Sequence, residues 1–197
     1  MREKVPTMIC SNHLTFIDSV LLIWAMGSNS WYFWHYQNFS WNLPAGDFFK
    51  KKFIYRVVAY LSKCIFIHRD GSKDHKNEVL ELCRQLLKRG EVVTIFPEGK
   101  RSRSGRFEPT QLTFGVSKII ASIENCRVLC FYIRGDRQET YSNYPPKGSH
   151  FDIQLDVIYP KSNLKDREGL AEITGQIAQS IKKMEDAYFL AREIPKT

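Results

Sequence analysis

Short apolar runs alternate along the chain with longer segments in which apolar residues recur every three or four positions. The short runs predict strands at 5–10, 31–37, 64–68, 91–96, 127–133 and 152–160, because β-branched and aromatic residues dominate them. The longer segments predict helices at 16–26, 50–61, 74–89 and 112–123, and a last helical stripe follows at Leu170, Ile173, Ile177, Ile181 and Met184. This alternation predicts an α/β fold with a mixed, largely parallel sheet flanked by helices. The ligand site of such a fold is expected in the loops beyond the strand ends.

Two of the predicted helices carry residues that are typical of helix ends. Asp74 is a candidate N-cap for the helix at 74–89, and Gly90 after two basic residues is a typical C-terminal stop. Gly27 and the polar residues after it end the helix at 16–26.

Composition and charge restrict the class of protein and its partners. The chain has 197 residues, 43% of them hydrophobic, and a net charge of +8, so we expect one domain over 1–197 and anionic partners. The five cysteines lack C-x-x-C spacing, which predicts buried thiols and a reducing compartment. The N-terminus shows no secretory apolar stretch, and the longest apolar run, 20–26, is far shorter than the roughly 20 residues of a membrane-spanning helix. We therefore expect a peripheral protein on the cytoplasmic side of a membrane.

The first chemical signal is the sequence NHLTFID at 12–18, directly after the first predicted strand. Five positions on a regular helix turn through about 500°, which leaves His13 and Asp18 roughly 140° apart, so one helical face cannot pair them. His13 is therefore expected in the turn before the helix, donating one ring N–H to Asp18 and keeping the other nitrogen basic. The alternative is a polar loop histidine and a carboxylate that merely favours a helix N-terminus.

The second signal is FPEGKRSRSG at 96–105, a strand end followed by a basic loop. Arg101 and Arg103 could bind a phosphate, Ser102 and Ser104 could add hydroxyl donors, and Gly99 would let backbone amides approach. The sequence CIFIHRDG at 64–71 contributes a third candidate, Arg69. The alternative for both segments is a solvated basic turn.

Together these segments resemble the glycerolipid acyltransferase family typified by bacterial 1-acylglycerol-3-phosphate acyltransferase. NHLTFID is similar to its N-H-x4-D signature, IFIHR to its I-F-I-x-R block and FPEGKRS to its F-P-E-G-T-R-S block, in the same order. The resemblance implies that His13 is a general base partnered by Asp18. It also implies that Arg69, Glu98, Gly99 and Arg101 bind the acceptor.

The same resemblance implies a reaction and its substrates. The acyl donor would be an acyl thioester, either acyl-CoA or acyl carrier protein, the acceptor would be a lysophospholipid, and no cofactor would be needed. Three positions depart from the family: Lys100 replaces its threonine, Lys63 its glycine, and His68 its Asp or Asn. The acceptor therefore stays open between lysophosphatidic acid and another lysolipid or amino-lipid, and a noncatalytic lipid-binding relative is the remaining alternative.

Aromatic residues are concentrated in one part of the chain. All four tryptophans and seven phenylalanines and tyrosines lie within 24–53, and the same range includes the lysines at 50–52. Aromatic rings beside cations suit a lipid interface, although the same rings could belong to the core or line an acyl groove. The chain shows no nucleic-acid-binding motif and no G-x-S-x-G motif of a serine hydrolase. We therefore expect a membrane surface as a partner and no nucleic acid.

Overall fold

The strands among the residues that the structure describes form one five-stranded sheet. The computed structural model describes residues 5–44, 57, 59–68 and 71–193. The strands are β1 (Thr7–Ser11), β2 (Trp41–Asn42), β3 (Val92–Ile95), β4 (Arg127–Gly135) and β5 (Phe151–Ile158), in the order β2-β3-β1-β4-β5. All pairs are parallel except β4 with β5. The predicted α/β fold with a mixed, largely parallel sheet is confirmed.

Helices cover the sheet unequally. They are α1 (Asp18–Met26), α2 (Asn29–Trp34), α3 (Lys73–Lys88), α4 (Gly115–Ile120) and α5 (Asp166–Glu193). On one face α3, α4 and α5 form the larger core with the strands, whereas on the other face α1 packs against a smaller cluster. The C-terminal stripe is confirmed, because Ile173, Ile177, Ile181 and Met184 are buried. No helix among the described residues is both long and apolar enough to cross a membrane.

The predicted strand at 31–37 is wrong. These residues form the end of α2 and a 3₁₀ turn, Tyr36–Asn38. Ser28 starts α2, since its hydroxyl accepts the Trp31 N–H at 3.2 Å. The aromatic propensity for strands depends on a pleated, half-buried environment, and this segment lies at the surface instead.

The predicted strand at 64–68 is also wrong, because this fully described segment forms no continuous strand. Cys64 makes only an isolated bridge to Asn42 of the two-residue strand β2. Of the helix predicted at 50–61, residues 57 and 59–61 are helical, and the rest lies outside the described residues.

The helix ends are partly as predicted. Gly90 ends α3 with φ of 77°, in the left-handed region that favours glycine. Ser72 rather than Asp74 is its N-cap, because the Ser72 hydroxyl accepts the His75 N–H at 3.1 Å. The helix predicted at 112–123 is shorter, since the Thr113 N–H bonds the Pro97 carbonyl at 3.0 Å before α4 begins.

The order of the strands places two loops side by side. β1 lies between β3 and β4, with Cys10 opposite Ile95 on one side and Ser11 opposite Phe131 on the other. After β1 the chain continues to β2, which lies on the β3 side of β1. After β3 it continues to β4, which lies on the other side of β1. The two connections therefore cross the sheet in opposite directions. Such a switch point opens a crevice at the carboxyl ends of the strands. The loops that begin at residues 12 and 96 meet there.

Candidate active site

Asn12 ends β1 and ties it to the neighbouring strand. Its side-chain amide donates to the Ile133 carbonyl at 3.0 Å and its oxygen accepts the Ile133 N–H at 2.8 Å. The side chain thus takes the place of a strand partner for β4 and is buried. The chain is free to turn directly after it, which positions His13.

His13 lies in the turn before α1, and its Nδ1 is 3.0 Å from Oδ2 of Asp18, the first residue of that helix. The two residues meet in the arrangement that the spacing predicts. The Asp18 side chain is 2% exposed and the His13 side chain 17% exposed. The ring therefore keeps access to the surface while its partner is shielded from water.

The hydrogen bonds on Asp18 decide which ring nitrogen carries the proton. Oδ2 also accepts the backbone N–H groups of Leu14, at 2.7 Å, and Thr15, at 2.8 Å, and the Thr15 hydroxyl donates to Oδ1. A carboxylate surrounded by donors acts as an acceptor, so Nδ1 of His13 is the donor of their bond. The other ring nitrogen, Nε2, is left with a lone pair that can take up a proton.

The second motif holds His13 from the other side. The Phe96 ring stacks on the His13 ring with centroids 4.2 Å apart and planes at 18°. The His13 N–H donates to Oε2 of Glu98 at 2.9 Å, and the His13 carbonyl accepts the Ser102 N–H at 2.9 Å. Both backbone groups and one face of the ring are therefore fixed by residues 96–102.

Glu98 is a buried carboxyl with a displaced pKa. It is 4% exposed, and burial raises its pKa from 4.5 to about 7. The backbone N–H groups of His13 and Glu108 lower this pKa, while the negative charges of Glu185 and Glu108 raise it further. The carboxyl that holds the backbone of His13 therefore changes its charge near neutral pH.

Arg101 connects the basic loop to a third segment. Its Nη1 donates to the Ser142 carbonyl at 2.9 Å and to Oδ1 of Asn143 at 2.8 Å. The same segment holds the turn after His13, because the Ser142 N–H bonds the Leu14 carbonyl at 3.0 Å. Since a guanidinium has five N–H donors, Arg101 keeps capacity for an anion, whereas Lys100 and Arg103 are exposed to solvent.

The serine hydroxyls of the loop bond groups within the loop. The Ser102 hydroxyl bonds the Arg106 carbonyl, and the Ser104 hydroxyl bonds Glu108 at 2.7 Å. These hydrogen bonds stabilise the loop itself. Gly99 has φ of 66°, and the structure leaves the space beside its Cα nearly open. Arg69 lies outside the described residues.

Several residues of the site carry no prediction from the sequence. Phe96 could have been found from its place directly before Pro97 and Glu98 at a strand end, beside the loop of a neighbouring strand. Thr15 could have been found because a hydroxyl three residues before Asp18 is within its reach. The segment at 141–143 shows no such signal, because it is polar and irregular.

Lys63 explains one departure from the resembling family. Its φ of 48° lies in the left-handed region, where a glycine avoids strain. The lysine is buried and compensates with contacts: its Nζ bonds Oε2 of Glu91 at 2.7 Å and lies 4.9 Å from the centroid of the Tyr36 ring. This chain therefore places a lysine at a position where the backbone conformation favours glycine, and the buried contacts of its Nζ offset the strain.

Comparison with known proteins identifies a family for this chain. A family model described as Acyltransferase matches residues 1–160. No curated protein matches the chain. In the part of the chain that the structure describes, no group of three or more His, Cys, Asp or Glu residues is placed to hold a metal ion.

Proposed function

Because this chain belongs to the acyltransferase family, we propose that it transfers an acyl chain from an acyl thioester to a hydroxyl of a lysophospholipid such as 1-acylglycerol-3-phosphate. The observation that carries the proposal is the 3.0 Å contact between Nδ1 of His13 and Oδ2 of Asp18. This contact favours a basic Nε2, which is what an acceptor hydroxyl needs in order to become a nucleophile. The acyl donor is acyl-CoA or acyl carrier protein, and no cofactor takes part.

The reaction proceeds by direct transfer. Nε2 of His13 takes the proton of the acceptor hydroxyl as the oxygen attacks the thioester carbonyl carbon. The tetrahedral intermediate collapses with cleavage of the C–S bond, and the imidazolium returns its proton to the leaving thiolate. The products are the ester and a free thiol, and Asp18 stabilises the imidazolium between the two steps. General-base action of this kind contributes roughly 10²- to 10⁴-fold to the rate.

The acceptor phosphate is bound by Arg101 of the basic loop together with Arg69 of the segment at 64–71. Gly99 lets the phosphate approach the backbone. The described side-chain hydrogen bonds of Arg101 use only its Nη1, and the guanidinium lies 5.5 Å from the centroid of the Tyr141 ring, so N–H groups remain that support a further role in binding an anion. Glu98 contributes to acceptor binding indirectly. Its buried carboxyl bonds the backbone of His13, and a negative charge in contact with a phosphate would repel it.

Thiol release from acyl-CoA tests the activity. We expect release to depend on added lysophosphatidic acid and to fall by at least about 10²-fold in His13→Ala. Release without an acceptor would indicate hydrolysis, and release that is unchanged in His13→Ala would refute the proposed base. A screen of lysolipids and amino-lipids, read by mass spectrometry of the acylated product, identifies the acceptor.

The protein is proposed to act while bound peripherally to the cytoplasmic side of a membrane. Phe33 and Trp34 of α2 are 76% and 79% exposed, and Trp24 of α1 and Tyr60 are exposed as well. Exposed aromatic rings on a basic protein suit the interface of an anionic bilayer. The lysines at 50–52, which would add positive charge, lie outside the described residues.

Flotation with anionic vesicles at low salt tests this location. We expect Trp34→Ser to reduce the vesicle-bound fraction. Tyr159→Ser is the matched control, because Tyr159 is an exposed aromatic residue that follows Ile158, and Ile158 pairs with Val128 near the start of β4, at the edge of the sheet opposite the site. Absence of binding by the unmodified protein, or equal loss in both variants, would contradict the assignment.

Residues 1–197 are proposed to work as a single domain. Support comes from α5, whose residues Ile173, Ile177 and Ile181 share one hydrophobic cluster with side chains of β1 and β4. A single cooperative transition in urea, seen by both fluorescence and circular dichroism, is the expected result. Two separate transitions would contradict it.

A further inference from the structure

The C-terminal helix α5 lies beyond the residues 1–160 that the family model matches, yet it contacts the loop of the second motif. We call residues 101–108 the arginine loop. The Phe107 N–H donates to Oε1 of Glu185 at 2.9 Å, and the Phe107 side chain is buried. Glu185 itself is 0% exposed. A buried carboxylate of α5 thus holds one end of the arginine loop.

Hydrogen bonds continue from this contact to His13. The Ser102 hydroxyl donates to the carbonyl of Arg106, the residue next to Phe107, and the Ser102 N–H donates to the His13 carbonyl at 2.9 Å. Each step is a direct hydrogen bond or a peptide link. Three residues of the loop, Phe107, Arg106 and Ser102, therefore connect Glu185 to the backbone of His13.

A second set of contacts fixes the same loop to α5. The Arg106 guanidinium lies 3.3 Å from the centroid of the Phe189 ring, and that of Arg134 lies 4.8 Å from it. Buried Arg134 also donates to the Gly105 carbonyl. At Gly105 φ is 70°, and a Cβ would overlap the Glu139 carbonyl oxygen. The loop is therefore held closely at this point, and the Phe189 ring of α5 contacts one cation of the loop, Arg106, and one cation of β4, Arg134.

The chemistry of Glu185 argues against a purely structural role. A fully buried position on a helix that faces the core is usually apolar, because burial of a carboxylate has a large desolvation cost. Glu185 offsets this cost with two contacts, the Phe107 N–H and Nζ of Lys182 at 2.8 Å. Only the first of them reaches another part of the fold.

We propose that Glu185 is a positioning residue of the acyltransfer site, which acts through the arginine loop on both Arg101 and His13. This proposal rests on the proposed function for its kinetic consequence. The functional unit then extends beyond residues 1–160 of the family match and includes α5. Removal of Glu185 loosens the loop, so the acceptor binds less well and the base is less often in place.

Three variants test the proposal. Glu185→Met has a similar volume but no acceptor oxygen, Glu185→Gln keeps a carbonyl oxygen for the Phe107 N–H, and Ser180→Ala is the control. Ser180 also lies buried on α5 and bonds Oδ2 of Asp156 in β5 at 2.8 Å, so its loss removes a buried hydrogen bond away from the loop.

Acceptor-dependent thiol release is measured well below the unfolding midpoint of each variant. For Glu185→Met we expect kcat/KM for the acceptor to fall about tenfold, the effect of one unsatisfied buried N–H, with a smaller change in KM for the acyl donor. Glu185→Gln should stay within about threefold of the unmodified protein, and Ser180→Ala should be unchanged. Equal loss in Glu185→Met and Ser180→Ala would overturn the proposal.

Hydrogen exchange supplies a readout that does not depend on activity. Peptides that cover residues 102–107 should exchange faster in Glu185→Met but not in Ser180→Ala. Unchanged exchange of these peptides in Glu185→Met would also overturn the proposal. If the unmodified protein shows no acceptor-dependent release, the proposed function fails, whereas an active unmodified protein with an active Glu185→Met variant refutes the positioning role alone.

Discussion

Asp18→Asn separates the charge of the dyad from its geometry. Two backbone N–H groups, those of Leu14 and Thr15, point at Oδ2 of Asp18, so the amide oxygen of an asparagine would take that position. The amide nitrogen would then face the Thr15 hydroxyl, which can accept a hydrogen bond. Nδ1 of His13 would keep its acceptor, and Nε2 would stay the basic atom. The variant therefore changes mainly the charge.

The magnitude follows from the distance between the charges. An imidazolium about 4 Å from a carboxylate gains about 4 kcal/mol at an effective dielectric constant near 20. Loss of that attraction in the transition state lowers kcat by up to about 10³-fold. Asp18→Ala differs, because it leaves the two N–H groups of Leu14 and Thr15 without their acceptor, at about 1–3 kcal/mol of folding free energy each.

The assay is acceptor-dependent thiol release, with kcat and KM measured separately and urea unfolding run on the same samples. We expect Asp18→Asn to unfold close to the unmodified protein, to keep its KM values and to lose kcat. Asp18→Ala should lose both stability and kcat. A kcat for Asp18→Asn within about threefold of the unmodified protein would refute the role given to the charge.

Three further predictions address the surroundings of the dyad. Glu98→Gln tests the raised pKa of Glu98, which is about 7 in the folded protein and 4.5 as the ordinary value of the unfolded chain. The contribution of Glu98 to stability is therefore present below pH 4.5 and is lost as the pH rises through 7. The free energy of unfolding of the variant minus that of the unmodified protein should therefore increase by roughly 3 kcal/mol between pH 4.5 and pH 8 in urea titrations, and a constant difference would contradict the shift. Arg101→Lys should raise KM for a phosphate-bearing acceptor about tenfold with little change in KM for the acyl donor, because the single nitrogen of a lysine cannot keep the bonds of Nη1 to Ser142 and Asn143 and also offer a phosphate the separate N–H groups of a guanidinium; equal changes in both KM values would argue against phosphate binding. Asn12→Ala should lower the free energy of unfolding by about 2–5 kcal/mol in urea, since it leaves two buried backbone groups of Ile133 unpaired, and a loss below about 1 kcal/mol would contradict its structural role.

Local propensity was reliable where a side chain and its partner lie close in sequence. The pairing of His13 with Asp18 was predictable from their spacing, because a turn followed by the first residue of a helix brings the two side chains within reach of each other. The apolar stripe on α5 was likewise predictable, because apolar residues recur every three or four positions and one such face of a helix is buried wherever the helix packs on the core. The aromatic segment at 31–37 shows the opposite case. Its residues favour a strand, but a strand needs pairing and a half-buried face, and this mostly exposed segment forms α2 and a 3₁₀ turn instead.

The dyad of His13 and Asp18 and the order of βα units are thus determined by the sequence itself, because both depend on short-range geometry and on hydrophobic period. Only the tertiary structure decided what surrounds the dyad. Glu98 reaches His13 across 85 positions of the chain, and Glu185 reaches Phe107 across 78. These contacts exist because β3 pairs with β1 and because α5 packs against the sheet. Contacts between residues so far apart in sequence depend on how the whole core packs, and no short segment of the sequence contains that information.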